Sequence, residues 1–271
     1  MKQPTDLKQG WSTDYDNEQY HHGPLKYLIS SSDLKNFARS PAHYREAKQN
    51  PEPSTPAMTF GSAFHSIVMG FPDEVTVAPT INRRTKAGKA EYSAFLAASA
   101  GKYVVSQAEM NAIEGMCEAV SHHKFARSLS ETPHREITGI FADRGTDLWC
   151  KIRPDLIDLD RLIISDFKSC VDASEAKFTR TIFDYKYNWS AAWYKHGAEM
   201  ITDQRFAFVI IAVEKTPPYG VNCFNIAGRA IRVAIDHIFE MTGEISDCFR
   251  KNQWPSYPQY LIDPDMPGWI K

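Results

Sequence analysis

No two of the five cysteines, Cys117, Cys150, Cys170, Cys223 and Cys248, form a Cys-x-x-Cys pair. That spacing argues against a zinc ribbon or an iron–sulfur cluster and leaves buried free thiols as the expectation. The chain has no Gly-x-Gly-x-x-Gly, Gly-Lys-Ser/Thr or Gly-x-Ser-x-Gly segment, so the common phosphate cradles and the hydrolase nucleophile elbow are missing. It has no run of membrane-spanning length and no apolar signal core, which sets the expectation of a soluble, cytoplasmic protein. Positive charge is not in excess either. With 31 Lys and Arg against 33 Asp and Glu, the net charge is −2, which neither demands nor excludes a polyanionic partner, because a local basic face can coexist with an acidic remainder.

What is present is enough apolar residue for a sizeable core: 43% of 271 residues. This predicts one α/β domain over residues 23–271, preceded by a polar, aperiodic arm over 1–22 that reads as flexible. A helix start is expected at Ser30 to Asp33, with serines available to cap or, alternatively, to receive a phosphate. Pro51, Pro53 and Pro56 read as a loop, followed by a helix over 60–69. Two more helices are expected over 86–100 and 106–129. The segments 134–141, 147–152 and 162–166 read as a three-stranded meander. A helical stretch over 173–183 and a helix over 189–202 come next. Strands over 206–213 and 220–226 and a long amphipathic helix over 228–251 follow, then an irregular strap from Trp254 to Trp269.

One stretch of the meander carries chemistry. Lys151-Ile152-Arg153-Pro154-Asp155 is followed, after ten residues, by Asp166-Phe167-Lys168 at the end of the apolar run Leu162-Ile163-Ile164. Side chains alternate along a strand, so Asp166 and Lys168 share a face while Phe167 turns to the core. Asp155 adds a second carboxylate, and two such oxygen donors suit Mg²⁺. The lysine would stand where it can orient or deprotonate an attacking water and offset charge building on a phosphate. Asp/Glu-x-Lys recurs elsewhere, as at Asp33/Lys35 and Asp184/Lys186. Only the copy at Asp166 follows a β-branched run and a Pro-Asp.

The order Gly61-x-x-x-His65, Glu136, Pro154-Asp155, Asp166-x-Lys168 and a helix bearing Tyr194 resembles the PD-(D/E)xK nuclease superfamily in its RecB-like branch. Within that branch it is most similar to RecE-type recombination exonucleases. The likeness spans about residues 27–254 and includes Arg83-Arg84-Thr85-Lys86-x-Gly88-Lys89 and Val213-Glu214-Lys215-Thr216-Pro217-Pro218-Tyr219. It implies a restriction-endonuclease-like core, a mixed central sheet flanked by helices with a helical N-terminal elaboration. It implies a metal site of His65, Asp155, Asp166 and the Phe167 carbonyl, with Lys168 catalytic and Glu136 nearby. Mg²⁺ is the expected ion, with Mn²⁺ able to substitute because of the imidazole. Taken alone, a helical His is more often a core residue, and Glu136 reads equally as a solvated strand glutamate paired with Arg135.

The same resemblance implies a 5′-to-3′ exonuclease on linear duplex DNA. The product would be a 3′ single strand for recombination, with a RecT-like annealing recombinase as partner, a homo-oligomer that could be a ring, and a bacterial or phage-infected host cytoplasm. DNA contacts are expected from Arg83, Arg84, Lys86, Lys89, Arg153 and Tyr194, with solvation, a salt bridge or core packing as the plain alternatives. The branch usually carries Gln-x-x-x-Tyr, whereas this chain has Ser190 in the glutamine position. Rival readings are a restriction or repair endonuclease of the same superfamily, a non-catalytic DNA-end clamp for a recombinase, and a small-molecule α/β enzyme.

Overall fold

The computed structural model describes residues 3, 4 and 6–263. Strand β1 (Gly10–Ser12) and helix α1 (Asn17–His21) lead into α2 (Ser31–Phe37), α3 (Pro41–Gln49) and α4 (Pro56–Met69). Next come β2 (Val75–Val77), α5 (Lys86–Ala98), β3 (Tyr103–Val105), α6 (Gln107–His122) and α7 (Lys124–Ser130). Strands β4 (His134–Arg135), β5 (Thr138–Ala142), β6 (Trp149–Ile152), β7 (Leu156–Asp158) and β8 (Ile163–Cys170) follow. The chain continues through α8 (Glu175–Asp184), α9 (Tyr187–Thr202), β9 (Ala207–Glu214), β10 (Val221–Asn225) and α10 (Arg229–Lys251).

The central sheet has the order β10-β9-β8-β7-β4, with β8 and β9 parallel and the other pairs antiparallel. A parallel pair needs a crossover, and α8 and α9 provide it. Strand β9 shows why its sequence is apolar throughout. Phe208, Ile210 and Ala212 enter one core with Trp193 and Phe178, while Val209, Ile211 and Val213 enter a second core with Phe64, Ile113 and Met116. A strand covered on both faces loses the polar alternation of a half-exposed one. The first core is roofed by α2, α3, α8, α9 and α10, the second by α4, α6 and α7.

The expected meander is two separate pairings. Strands β5 and β6 belong with β1 in a three-stranded sheet, whereas β8 pairs with β7, a short strand that the sequence pattern does not set apart. The break falls at Arg153-Pro154, where proline has no N–H to continue a ladder. Helix α9 crosses the smaller sheet closely: a Cβ on Gly197 would stand 2.7 Å from Phe141 Cε1.

The N-terminal segment also departs from expectation, since it contains β1, paired with β5 from Gly10↔Ile140 to Ser12↔Thr138, and α1. Tyr20 is buried there, with Lys151 Nζ 3.9 Å and the Arg153 guanidinium 4.1 Å from its ring centroid. A few large contacts and a backbone ladder leave little periodic signal in a polar sequence. The helix expected over 106–129 is broken at His123, whose extended backbone ends α6 and whose Nδ1 accepts from Ala126 N at 3.1 Å to start α7. Pro56 opens α4 rather than belonging to the loop, with Thr55 as its cap, as suits a proline in the first turn. Of the C-terminal strap, Trp254 packs on Tyr44 and Phe249; residues 264–271 lie outside the described residues. Among the described residues no helix is long and apolar enough to cross a membrane.

Candidate active site

Strand β8 puts Asp166 and Lys168 on one face, where they form an ion pair, and sends Phe167 into the second core. The Phe167 ring meets Phe64 edge-on at 6.1 Å, fixing α4 against β8. The next residue of α4, His65, therefore faces the polar side of the strand. Asp155, just before β7, has Oδ1 2.9 Å from His65 Nε2, while its Oδ2 accepts from the Phe167 N–H at 2.6 Å. Glu136 lies between β4 and β5 with a left-handed backbone, φ 49°, a conformation that a non-glycine residue holds only where the surroundings enforce it. Its N–H donates to Asp155 O at 3.0 Å, and its Oε1 is 3.1 Å from His65 Nδ1. Arg135, the partner expected in the plain reading of Glu136, instead donates to the carbonyls of Met69 and Ser130.

His65, Glu136, Asp155, Asp166, Phe167 and Lys168 thus come together, at the floor of a cleft of about 1070 Å³. The charges are tightly linked. Burial, and then the Asp155 charge, raise the Asp166 pKa to about 6. Burial would lower the His65 pKa, but the Asp155 and Glu136 carboxylates outweigh it and bring it to about 10. For Lys168 burial likewise opposes the charge, yet Asp166 and Asp155 push its pKa above the ordinary lysine range. The Asp155 carboxyl is disfavoured by burial but held below its ordinary value by His65 and Lys168.

Among the described residues no three imidazole, thiol or carboxylate groups form a ready ligand sphere, because the acids are engaged with His65 and Lys168. The donor chemistry nonetheless fits a hard divalent cation: two buried carboxylates, an imidazole and the Phe167 carbonyl, which now accepts from Lys168 Nζ at 3.2 Å. The two acids draw positive charge into a buried place, and a divalent ion answers the same demand.

The expected DNA contacts separate into two groups. Tyr194 lines the cleft, as does Ser31. Ser190 does not line it. Arg153 lines the cleft but is spent on structure: its guanidinium donates to Thr138 Oγ1, Asn17 Oδ1 and the carbonyls of Tyr15 and Asp16. These bonds give Arg153 the structural role that was the plain alternative to a phosphate contact. Arg83, Arg84, Lys86 and Lys89 are exposed and do not line the cleft. Their phrase is a capping device: Thr85 Oγ1 accepts from Gly88 N at 2.9 Å, and a Cβ on Gly88 would meet Asn82 O at 2.1 Å. Ser30 stands at the N-cap of α2, where its N–H and Oγ both donate to Asp33 Oδ2. Lys177, Arg180 and Lys215 do line the cleft, and sequence reasoning missed them. Lys177 and Arg180 stand on the exposed face of α8 opposite the buried Phe178 and Ile182, and Lys215 follows the end of β9.

A mixed sheet bearing an acid at the start of one strand and Asp-x-Lys on the next, with flanking helices, defines a restriction-endonuclease-like core. Residues 30–260 match the family model described as a PDDEXK-like domain of unknown function (DUF3799), and the chain belongs to that family. A crystal structure of a protein from Eubacterium rectale described as a candidate exonuclease shares the fold, with TM-score 0.62 at 14% identity over 92% of this chain and 97% of that one. A second solved structure, SSO0001, gives TM-score 0.28 at 11% identity over 66% of this chain and 85% of that one. No curated protein matches.

Proposed function

We propose that the protein is a divalent-metal-dependent deoxyribonuclease that trims linear duplex DNA from its ends. The convergence of Asp155, Asp166, Lys168, His65 and Glu136 on the floor of one cleft carries this reading. Family membership supports the nuclease class, and the description of the Eubacterium rectale protein is in keeping with end trimming. The 5′-to-3′ polarity, the 3′ tail, the annealing recombinase that would load on it and a ring-like homo-oligomer rest on the resemblance of the motifs.

Asp155, Asp166, His65 Nε2 and the Phe167 carbonyl would hold Mg²⁺ or Mn²⁺, and the bound ion would supply Lewis-acid polarisation of the phosphate and a more acidic attacking water. Glu136 accepts from Nδ1 of His65 and so leaves Nε2 as the ligating nitrogen. Lys168 is kept as an ammonium by the two acids, which suits it to donate from Nζ to a phosphate oxygen as charge builds there, rather than to take a proton from water.

Digestion of linear and closed circular duplexes, with label at either the 5′ or the 3′ end, tests the reading. Early release of the 5′ label from linear DNA alone is expected. Cutting of closed circles would favour the endonuclease reading. Binding to ends without release of either label, at any divalent ion tried, would favour the clamp.

A further inference from the structure

A pair of stacked rings stands one side chain away from the reaction centre. Tyr187 lies beside the catalytic ammonium, with Lys168 Nζ 5.5 Å from its ring centroid, and Lys35 Nζ is 5.3 Å from the same centroid. Tyr185 stacks on Tyr187, the centroids 5.8 Å apart and the planes at 22°. Residues two apart do not face each other on a helix. These two meet because Lys186 between them takes a left-handed conformation, φ 53° and ψ 41°, which for a non-glycine residue is a strained arrangement of the kind concentrated at functional sites.

The pair is anchored at one end and open at the other. The fully buried Phe178 stands 6.4 Å from Tyr187 and 4.8 Å from Phe224, tying the inner ring to the core. Tyr185 keeps 65% of its surface exposed, yet both rings line the cleft. Lys177 and Arg180, exposed on α8, line the same cleft, with Asp184 beside them. Flat faces flanked by cations in a groove are the features by which single strands are held: bases stack on the rings, and the charges follow the backbone.

We propose that Tyr185 and Tyr187 form a stacking subsite for an unpaired nucleobase next to the phosphate that is cut, with Lys177 and Arg180 holding the adjoining backbone. The inference rests on the nuclease reading and narrows its substrate to a frayed or single-stranded end. Every base offers a π face, so the subsite is indifferent to sequence. A duplex end would have to open its terminal pair to fill it.

Fluorescence anisotropy in EDTA, with the full chain and short labelled single-stranded deoxyoligonucleotides, tests the subsite without any hydrolysis. One oligonucleotide carries ordinary bases and the other is abasic at its terminal positions. The wild type is expected to bind the first about tenfold more tightly. Tyr185→Ala should bring that ratio to about one, and Tyr185→Phe, which keeps the ring, should restore it. Equal binding of both oligonucleotides by the wild type, or a ratio unmoved by Tyr185→Ala, would overturn the subsite. Base-dependent binding without cleavage at any divalent ion would keep the subsite and remove the nuclease reading. Cleavage without base dependence would do the reverse.

Discussion

His65 Nε2 stands 2.9 Å from Asp155 Oδ1, so a helix residue and a residue at the entry to β7, far apart in the chain, form one ion pair. Glu136 fixes the other nitrogen of that imidazole. Glu136→Gln should weaken divalent-ion affinity by about 10–100-fold, the usual effect of losing a partner behind a ligating histidine. His65→Ala should weaken it further. Calorimetric titration with Mn²⁺ measures both, and unchanged affinity in His65→Ala would remove the imidazole from the ligand set.

In the proposed reaction Lys168 would donate where negative charge builds during cleavage. Lys168→Ala is therefore expected to lower kcat by about 10²–10³-fold, the range for losing one preorganised electrostatic donor. KM should change much less. Single-turnover digestion of a labelled linear duplex separates the two, and a pure KM effect would reduce Lys168 to a binding residue.

The cleft wall and the basic loop make opposite predictions. Replacing both Lys177 and Arg180 with Ala should flatten the dependence of log K on log salt by about two units, one for each phosphate that is no longer neutralised. The pair Arg83→Ala and Arg84→Ala should leave that slope nearly unchanged, because neither residue lines the cleft. Binding measured across a salt series distinguishes the pairs, and the reverse ranking would return the main phosphate-binding role to the loop.

How far the site could be read from the sequence follows from which of its forces are local. Strand alternation puts Asp166 and Lys168 together and Phe167 in the core, so that part is visible in a few consecutive residues. The β9 strand and the long α10 helix are visible for the same reason. His65 and Glu136 need the motif resemblance, because only tertiary packing of α4 on β8 brings them to Asp155. The role of Arg153 is hidden because its partners, Thr138, Asn17 and the Tyr15 and Asp16 carbonyls, come from segments with no periodic signal. Lys177 and Arg180 resemble ordinary solvated helix charges, and nothing in their spacing distinguishes a helix face that borders a cleft.

Arg153 fastens the N-terminal segment to the site wall through the fork geometry of its guanidinium. Arg153→Lys offers a single point charge in place of that fork and should not rescue the contacts. Arg153→Ala and Arg153→Lys are both expected to lower stability by about 1–3 kcal/mol, the cost of leaving the buried Thr138 hydroxyl unsatisfied and of losing the bonds to the N-terminal segment. Urea unfolding of the three proteins checks this, and full rescue by lysine would contradict it.

Lys151 is buried, and burial together with Lys48 lowers its pKa to about 7. The folded state therefore binds fewer protons than the unfolded chain between about pH 7 and the ordinary lysine pKa of about 10.4. A lysine shifted in this direction makes folding less favourable at and below neutral pH, and the penalty fades as pH rises through that window. The stability of Lys151→Met relative to wild type should accordingly be highest near pH 7 and fall toward pH 10. Thermal unfolding across the range tests this, and a constant difference would show that Lys151 keeps its ordinary pKa.

Under the proposed function Asp155, Asp166, His65 and Lys168 form one divalent-ion-dependent phosphodiesterase site. The most direct measurement is release of end label from linear duplex DNA by wild type and Asp166→Ala, each with Mg²⁺ and with EDTA. Release by wild type with Mg²⁺ alone, and none by Asp166→Ala under either condition, is the predicted result. Undiminished release by Asp166→Ala, or release by wild type in EDTA, would contradict it.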